Sequence, residues 1–221
     1  MVTLYHGDCR AIREWLAADV LVTDPPYGVG YTSRRTGSRV MAGDRSTLVR
    51  DGALALWADR GPAAVFGSWK VQRPAGVRQL VVWDKRGGAG YSGDLRMPFA
   101  DVCEEVYLMG QGWAGRRRPN ILTHPTIASR AKGRPAHPTP KPVPLFAELL
   151  SYAPPGVVAD PFAGSGPLAL AARQLGRRAI LVEIDEAYCE LIARRLQDEP
   201  LNLDVRDVVS HGESVAQGDV A

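Results

Sequence analysis

Apolar residues along this chain gather in short runs, separated by longer stretches in which they recur at mixed three- and four-residue spacing, the signature of strands alternating with amphipathic helices. Strands are predicted near Val2 to Tyr5, Val20 to Thr23, Ala63 to Phe66, Gln79 to Trp83, Val102 to Leu108, Val157 to Asp160 and Ala179 to Val182. Helices are predicted over Arg10 to Ala17, Leu48 to Ala58, Val143 to Tyr152, Pro167 to Leu175 and Glu186 to Leu196. Gly176 is positioned to close the fourth helix with a left-handed cap, and Asp185 to cap the amino terminus of the fifth. The fold class that follows is α/β, a doubly wound, mostly parallel sheet with helices on both faces. A chain of 221 residues suffices for one domain with a substantial core. Residues 1–197 are expected to form it, with residues 28–140 giving its central strands and substrate-facing loops. The tail, 198–221, shows little periodicity and is expected to be mobile.

Two segments carry candidate chemistry. The first is Asp24-Pro25-Pro26-Tyr27, at the end of the second predicted strand. An exocyclic amino nitrogen on a flat base is a poor nucleophile because its lone pair is delocalised into the ring. The Asp24 carboxylate can accept one amino hydrogen and the Pro25 carbonyl the other, which frees that lone pair. Pro25 and Pro26 fix φ and hold the carbonyl rigidly. Tyr27 offers a face for an extruded base to stack on. An isolated Asp-Pro-Pro would be read as a turn that ends a strand; the second segment changes that reading.

That segment is Asp160-Pro161-Phe162-Ala163-Gly164-Ser165-Gly166, between a predicted strand and an Ala/Leu-rich helix. Strand, glycine turn and helix in this order let the backbone approach a nucleoside closely. Glu183 ends the next strand, about twenty residues beyond the turn, where an acidic side chain binds ribose hydroxyls. The full G-x-G-x-x-G spacing and a phosphate-loop lysine are both missing, which favours a nucleoside over a pyrophosphate.

Together the two segments closely resemble the amino-directed DNA methyltransferases, in the permuted (β) class whose catalytic motif precedes the cofactor motif. Tyr5-His6-Gly7-Asp8, Trp83-Asp84-Lys85, His137-Pro138-Thr139-Pro140-Lys141-Pro142 and the stretch from Arg177 to Leu196 look like family segments too. The resemblance covers roughly residues 2 to 197. It implies S-adenosyl-L-methionine as cofactor, DNA as substrate and base flipping. It also implies that Asp24, Pro25, Pro26 and Tyr27 form the catalytic tetrapeptide. Asp160, Phe162, Ala163, Gly164, Ser165 and Gly166 would line the cofactor pocket, with Glu183 on the ribose, Thr139 and Lys141 on the methionine carboxylate and Asp8 at the adenine. Asp in the first catalytic position favours adenine N6 as target, with cytosine N4 as the rival and a non-catalytic DNA- or cofactor-binding protein as the third reading. Pro167 departs from the family, which usually has threonine there. Proline suits a first helical turn, but the hydroxyl and N–H are lost as cofactor contacts.

The net charge of +3 is too small to argue for DNA by itself, but its distribution is uneven. Residues 31–45 hold Arg34, Arg35, Arg39 and Arg45 against Asp44, and residues 110–141 hold Arg116, Arg117, Arg118, Arg130, Lys132 and Arg134 with no acidic residue. Both are expected to follow phosphates, the second as the target-recognition loop. A homodimer and a companion restriction enzyme are the further partners the resemblance allows. Cys9, Cys103 and Cys189 are scattered without a C-x-x-C pair, so reduced core thiols are expected rather than a disulfide framework or a metal site. With no amino-terminal signal pattern and no apolar run of membrane-spanning length, a cytoplasmic protein is expected.

Overall fold

The computed structural model of the chain describes residues 1–28, 46–85, 96–126, 140–198 and 208–210. Its strands are β1 (Val2–His6), β2 (Val20–Thr23), β3 (Ala63–Gly67), β4 (Val77–Asp84), β5 (Cys103–Met109), β6 (Ile121–Thr123), β7 (Val158–Asp160), β8 (Ala179–Glu183) and β9 (Val208–Ser210). Its α-helices are α1 (Leu48–Trp57), α2 (Val143–Ser151), α3 (Pro167–Gln174) and α4 (Glu186–Asp198). The strands form one sheet in the order β6-β4-β5-β3-β2-β7-β8-β1-β9. All neighbours pair in parallel except β5, which runs antiparallel to both β3 and β4.

Strands β2, β3 and β7 are buried along their whole length, as expected of strands covered on both faces. On one face α2, α3 and α4 pack Phe146, Leu149, Leu168 and Ile192 against Val20, Val22, Phe66 and Leu181. On the other, α1 and a 3₁₀ turn at Glu14–Ala17 bury Trp57 and Trp15, whose rings stack at 6.0 Å, against Leu21, Val65 and Tyr107. Gly67 ends β3 where a Cβ would lie 2.2 Å from the buried Tyr107 ring, so only glycine fits at this crossing.

Helix α3 has Pro167 at its first position and ends as expected. Gly176, at φ 65°, donates to the Arg173 carbonyl, and Arg177 N–H to that of Ala172. Asp185 caps α4 through a 2.9 Å bond from Ala187 N–H.

Four expectations need correction. Arg10 to Ala17 does not form a helix. The Asp8 side chain accepts Arg10 N–H at 2.8 Å, and only the 3₁₀ turn follows, where buried Trp15 donates to the Cys9 carbonyl. Edge strands β6 and β9 were not foreseen. The strands between residues 28 and 140 make one half of the sheet out to the β6 edge, not its centre. Cys9 and Cys189 are buried, but Cys103 is exposed.

The sheet's centre matters most for function. From β2 the chain goes outward to β3 on one side, while β7 leads to β8 on the other, so β2 and β7 flank the point where strand order reverses. In such sheets a crevice opens beyond the carboxyl ends of those two strands. Asp24 directly follows β2, and Asp160 ends β7.

Candidate active site

The two segments singled out in the sequence meet through one hydrogen bond. Thr23, the residue before Asp24, donates its hydroxyl to Asp160 Oδ1 at 2.6 Å, although the two lie 137 positions apart. The Phe162 N–H reaches the same oxygen at 3.0 Å. Parallel pairing of Val20 with Val158 and of Leu21 with Ala159 sets this register.

On the β2 side the Asp24 carboxylate is held at both oxygens. The Tyr27 hydroxyl lies 2.8 Å from Oδ1, and Lys141 Nζ lies 2.7 Å from Oδ2. Glu104, from the start of β5, completes the cluster. Its Oε2 is 3.0 Å from the Tyr27 hydroxyl and 3.1 Å from Lys141 Nζ, and its Oε1 accepts from Lys85 Nζ at 2.9 Å. The Lys141 ammonium stands over three rings, 5.4 Å from the centroids of Tyr27 and Phe66 and 5.8 Å from that of Trp83. Burial works against the charge of Glu104, but the ammonium groups of Lys141 and Lys85 outweigh it and hold the carboxyl down at about 2. For Lys141, burial is likewise outweighed by Asp24 and Glu104, so its pKa is raised and it stays charged. The Tyr27 hydroxyl is pushed well up by burial and by the two carboxylates beside it, and remains protonated. The result is a rigid, charge-balanced floor with a tyrosine ring fixed at its hydroxyl.

On the β7 and β8 side, Gly164 and Gly166 take positive φ of 51° and 75°, which glycine adopts without strain. Gly164 N–H donates to Glu183 Oε2 at 2.6 Å and Asp185 N–H to Oε1 at 2.9 Å, so Glu183 ties the glycine turn to the end of β8. Ala163 and Ser165 are buried, and Ser165 offers its carbonyl to Arg195. Asp8 lies just past β1, whose His6 pairs with Glu183, and is bound to Arg10, which keeps its carboxyl low.

Asp160 and Glu183 are both buried, and among the described residues no cation pairs with either. Burial pushes Asp160 up to about 7 and Glu183 above the ordinary carboxylate range. Two buried carboxylates beside a glycine turn suit a ligand that carries positive charge together with ribose hydroxyls. S-adenosylmethionine is such a ligand.

The raised Asp160 pKa has a measurable sign. Its unfolded value is near 3.8 and its folded value about 7, so the native state binds the proton more tightly than the unfolded chain. That contribution to stability is complete below pH 3.8 and is lost as pH rises through 7. Asp160→Asn keeps an oxygen for the Thr23 and Phe162 bonds without the charge. Its Tm is expected to exceed that of the unsubstituted chain at pH 8, with the gap closing toward pH 4. Equal gaps at both pH values, in thermal melts without cofactor, would show that Asp160 is not the strained carboxylate.

The profile of the DNA methylase family N6_N4_Mtase matches residues 55–194, more than half of the chain. The chain belongs to this DNA methylase family. It is 31% identical to the protein YubD of Escherichia coli (strain K12), over 89% of this chain and 90% of YubD. It is 34% identical to the type II methyltransferase M.ScaI of Streptomyces caespitosus, over 91% of this chain and 83% of M.ScaI. Among solved structures, the M1.HpyAVI–SAM complex superposes with a TM-score of 0.61 at 20% identity, over 88% of this chain and 100% of that one. The cytosine-N4-specific PvuII DNA methyltransferase superposes with a TM-score of 0.62 at 17% identity, over 91% and 88%. The fold is therefore that of the S-adenosylmethionine-dependent methyltransferases, and S-adenosylmethionine is the cofactor.

Within this methylase, several site residues sit differently from the sequence reading. Lys141, assigned there to the cofactor's carboxylate, has its ammonium on Asp24 and Glu104. Thr139 lies outside the described residues, as do Arg34, Arg35, Arg39, Arg130, Lys132 and Arg134. Arg116, Arg117 and Arg118 do not flank the crevice. β5 runs antiparallel, so the segment after it starts at the amino-terminal ends of the parallel strands, where residues 110–115 pack on Gly61, Pro62, Tyr152 and Pro154. Arg118 is paired with Glu148 of α2. Glu104 was missed altogether, although the acidic pair Glu104-Glu105 leading straight into the apolar run Val106-Tyr107-Leu108 signals a buried charge that needs a partner. Among the described residues no group of His, Cys, Asp and Glu could hold a metal ion, and no helix is long and apolar enough to cross a membrane.

Proposed function

We propose that this methylase transfers the methyl group of S-adenosylmethionine to the N6 amino group of adenine in DNA, after the base is extruded from the duplex. The observation that carries this reading is the Thr23–Asp160 bond, which sets an amine-accepting carboxylate one residue away from the buried carboxylate of the cofactor side. Bound there, the cofactor supplies an electrophilic methyl group on a sulfonium. Asp24 accepts one amino hydrogen and the Pro25 carbonyl the other, which draws the nitrogen out of conjugation. Tyr27, fixed at its hydroxyl by Asp24 and Glu104, stacks on the base. Lys141 stays protonated and so is not the base; the surplus proton on the methylated nitrogen passes to Asp24.

Aspartate in the first catalytic position supports adenine over cytosine as the target, since members of the family with aspartate there more often act on adenine. Cytosine N4 presents the same hydrogen-bond problem and is the second reading, as the fold it shares with the PvuII enzyme allows. Mass spectrometry of nucleosides from a methylation-deficient host expressing this chain tests both. N6-methyladenine is the expected product. N4-methylcytosine would move the proposal to cytosine, and neither base, from a folded protein, would leave a non-catalytic binder.

A further inference from the structure

Two aromatic side chains stand in solvent at the same end of the sheet as Asp24. Trp69, two residues past β3, is 65% exposed, and Phe99, four residues before β5, is 86% exposed. Exposing an indole and a phenyl ring this fully forgoes burial that a core would have used. Both lie close in sequence to the catalytic cluster. Phe66, three residues before Trp69, floors the Lys141 ammonium, and Glu104, five residues after Phe99, binds it.

The segments bearing the two rings are fastened together. Lys70 Nζ pairs with Asp101 Oδ2 at 2.8 Å and also lies 5.4 Å from the Trp69 ring centroid, joining the first segment to the second while it positions the indole. Arg73 pairs with Glu105 of β5 at 2.5 Å, and Glu105 in turn accepts from the Tyr107 hydroxyl at 2.6 Å, fixing the first segment to the sheet. In each ion pair the cation is the more exposed partner. Lys70 is 47% exposed against 34% for Asp101, and Arg73 is 51% exposed against 12% for Glu105. The rim therefore presents two aromatic rings beside two outward cations.

We propose that Trp69 and Phe99 form a stacking edge for DNA next to the extruded base, with Lys70 and Arg73 toward the phosphates. This inference rests on the DNA-methylating reading above. Bases stack on aromatic faces whatever their sequence, and cations beside those faces follow the backbone, the combination found where proteins hold unstacked nucleic acid. Flipping leaves the neighbouring bases without a stacking partner, and rings already in solvent restore one without rearranging the core. A second copy of this chain would also cover apolar rings, but apposing two such edges would bring the outward cations Lys70 and Arg73 of both copies together.

Tryptophan fluorescence tests the proposal. Trp15, Trp57 and Trp83 are buried and Trp113 is partly buried against the core, so the difference in acrylamide quenching between the unsubstituted chain and Trp69→Phe reports on Trp69. A mixed-sequence 30-base-pair duplex is expected to protect Trp69 from acrylamide, whereas S-adenosylmethionine alone is not. Trp69→Ala with Phe99→Ala is expected to weaken binding of that duplex by at least about fivefold. Near-native Tm and unchanged S-adenosylmethionine affinity would show that this variant is folded. Unchanged quenching with DNA, or protection that rises with protein concentration without DNA, would overturn the proposal. If the unsubstituted chain still methylates DNA in either case, the function stands and only the stacking edge falls.

Discussion

Asp24→Ala is expected to lower the rate of methyl transfer by a factor on the order of 10²–10³, the loss seen when one preorganised hydrogen-bonding group is taken from a developing charge. S-adenosylmethionine affinity is expected to stay within about twofold, because Asp24 faces the target amine while the cofactor side is built on Asp160, Glu183 and the glycine turn. The substitution should leave the fold intact. Lys141 keeps Glu104 at 3.1 Å, so its buried charge is not abandoned, and Thr23 keeps its bond to Asp160. Asp24→Asn is a sharper variant, since it retains one acceptor oxygen for the amino hydrogen and removes the charge together with the capacity to take the surplus proton. A rate between those of the alanine variant and the unsubstituted chain would assign part of the effect to charge and part to geometry. Single-turnover transfer of labelled methyl groups, with cofactor binding measured separately, gives both quantities. An alanine variant within tenfold of the original rate would remove Asp24 from the mechanism.

The sheet was legible because its central strands are short apolar runs bounded by turn residues, a pattern burial on both faces demands. The last βαβ unit was read nearly to the residue, since its boundaries are chemical: Pro167 at the helix start, Gly176 at its end, Asp185 at the next cap. The failures have physical reasons too. Arg10 to Ala17 has helical spacing, but Asp8 offers its carboxylate to Arg10 N–H and draws the chain into a local turn, a competition that spacing does not register. The direction of β5 follows from its connections, not its composition, and that direction sends Arg116 and Arg117 away from the crevice. Strands β6 and β9 have three residues each, too few to show a period.

In the site, motif chemistry singled out Asp24, Asp160 and Glu183, which the fold places at the ends of buried strands around one crevice. It assigned Lys141 to the cofactor because nothing along the chain shows that residue 141 lies beside residue 24. Only the tertiary fold brings Asp24, Glu104 and Lys141 together, and only there does the acid in β5 acquire a purpose.

That cluster supports the second large prediction. Lys141→Met is expected to destabilise the protein by about 3–5 kcal/mol, as when one partner of a buried ion pair is removed and the other is left behind. Here the residue left behind is Glu104, together with Asp24, with Lys85 as the remaining cation. Lys141→Met combined with Glu104→Gln is expected to recover a good part of that loss, so the two substitutions should be strongly non-additive. The pH dependence follows from the depressed Glu104 pKa. Its stabilising contribution is present above the unfolded value near 4.5 and is lost as pH falls through about 2. Urea unfolding of all four proteins at pH 7 and pH 3 should therefore show a large coupling at the higher pH and a smaller one at the lower. Additive effects at pH 7 would mean that the pair does not bear the charge balance of the floor. The same geometry bears on turnover, because Lys141 holds Asp24 Oδ2 and the Tyr27 hydroxyl holds Oδ1. An incoming amino group competes with both for the carboxylate, and both have Glu104 as a second partner, the Lys141 ammonium at 3.1 Å and the Tyr27 hydroxyl at 3.0 Å. Glu104→Gln removes the charge of that second partner and ties the ammonium more firmly to Asp24. A higher KM for DNA with little change in cofactor affinity is the signature expected of that variant.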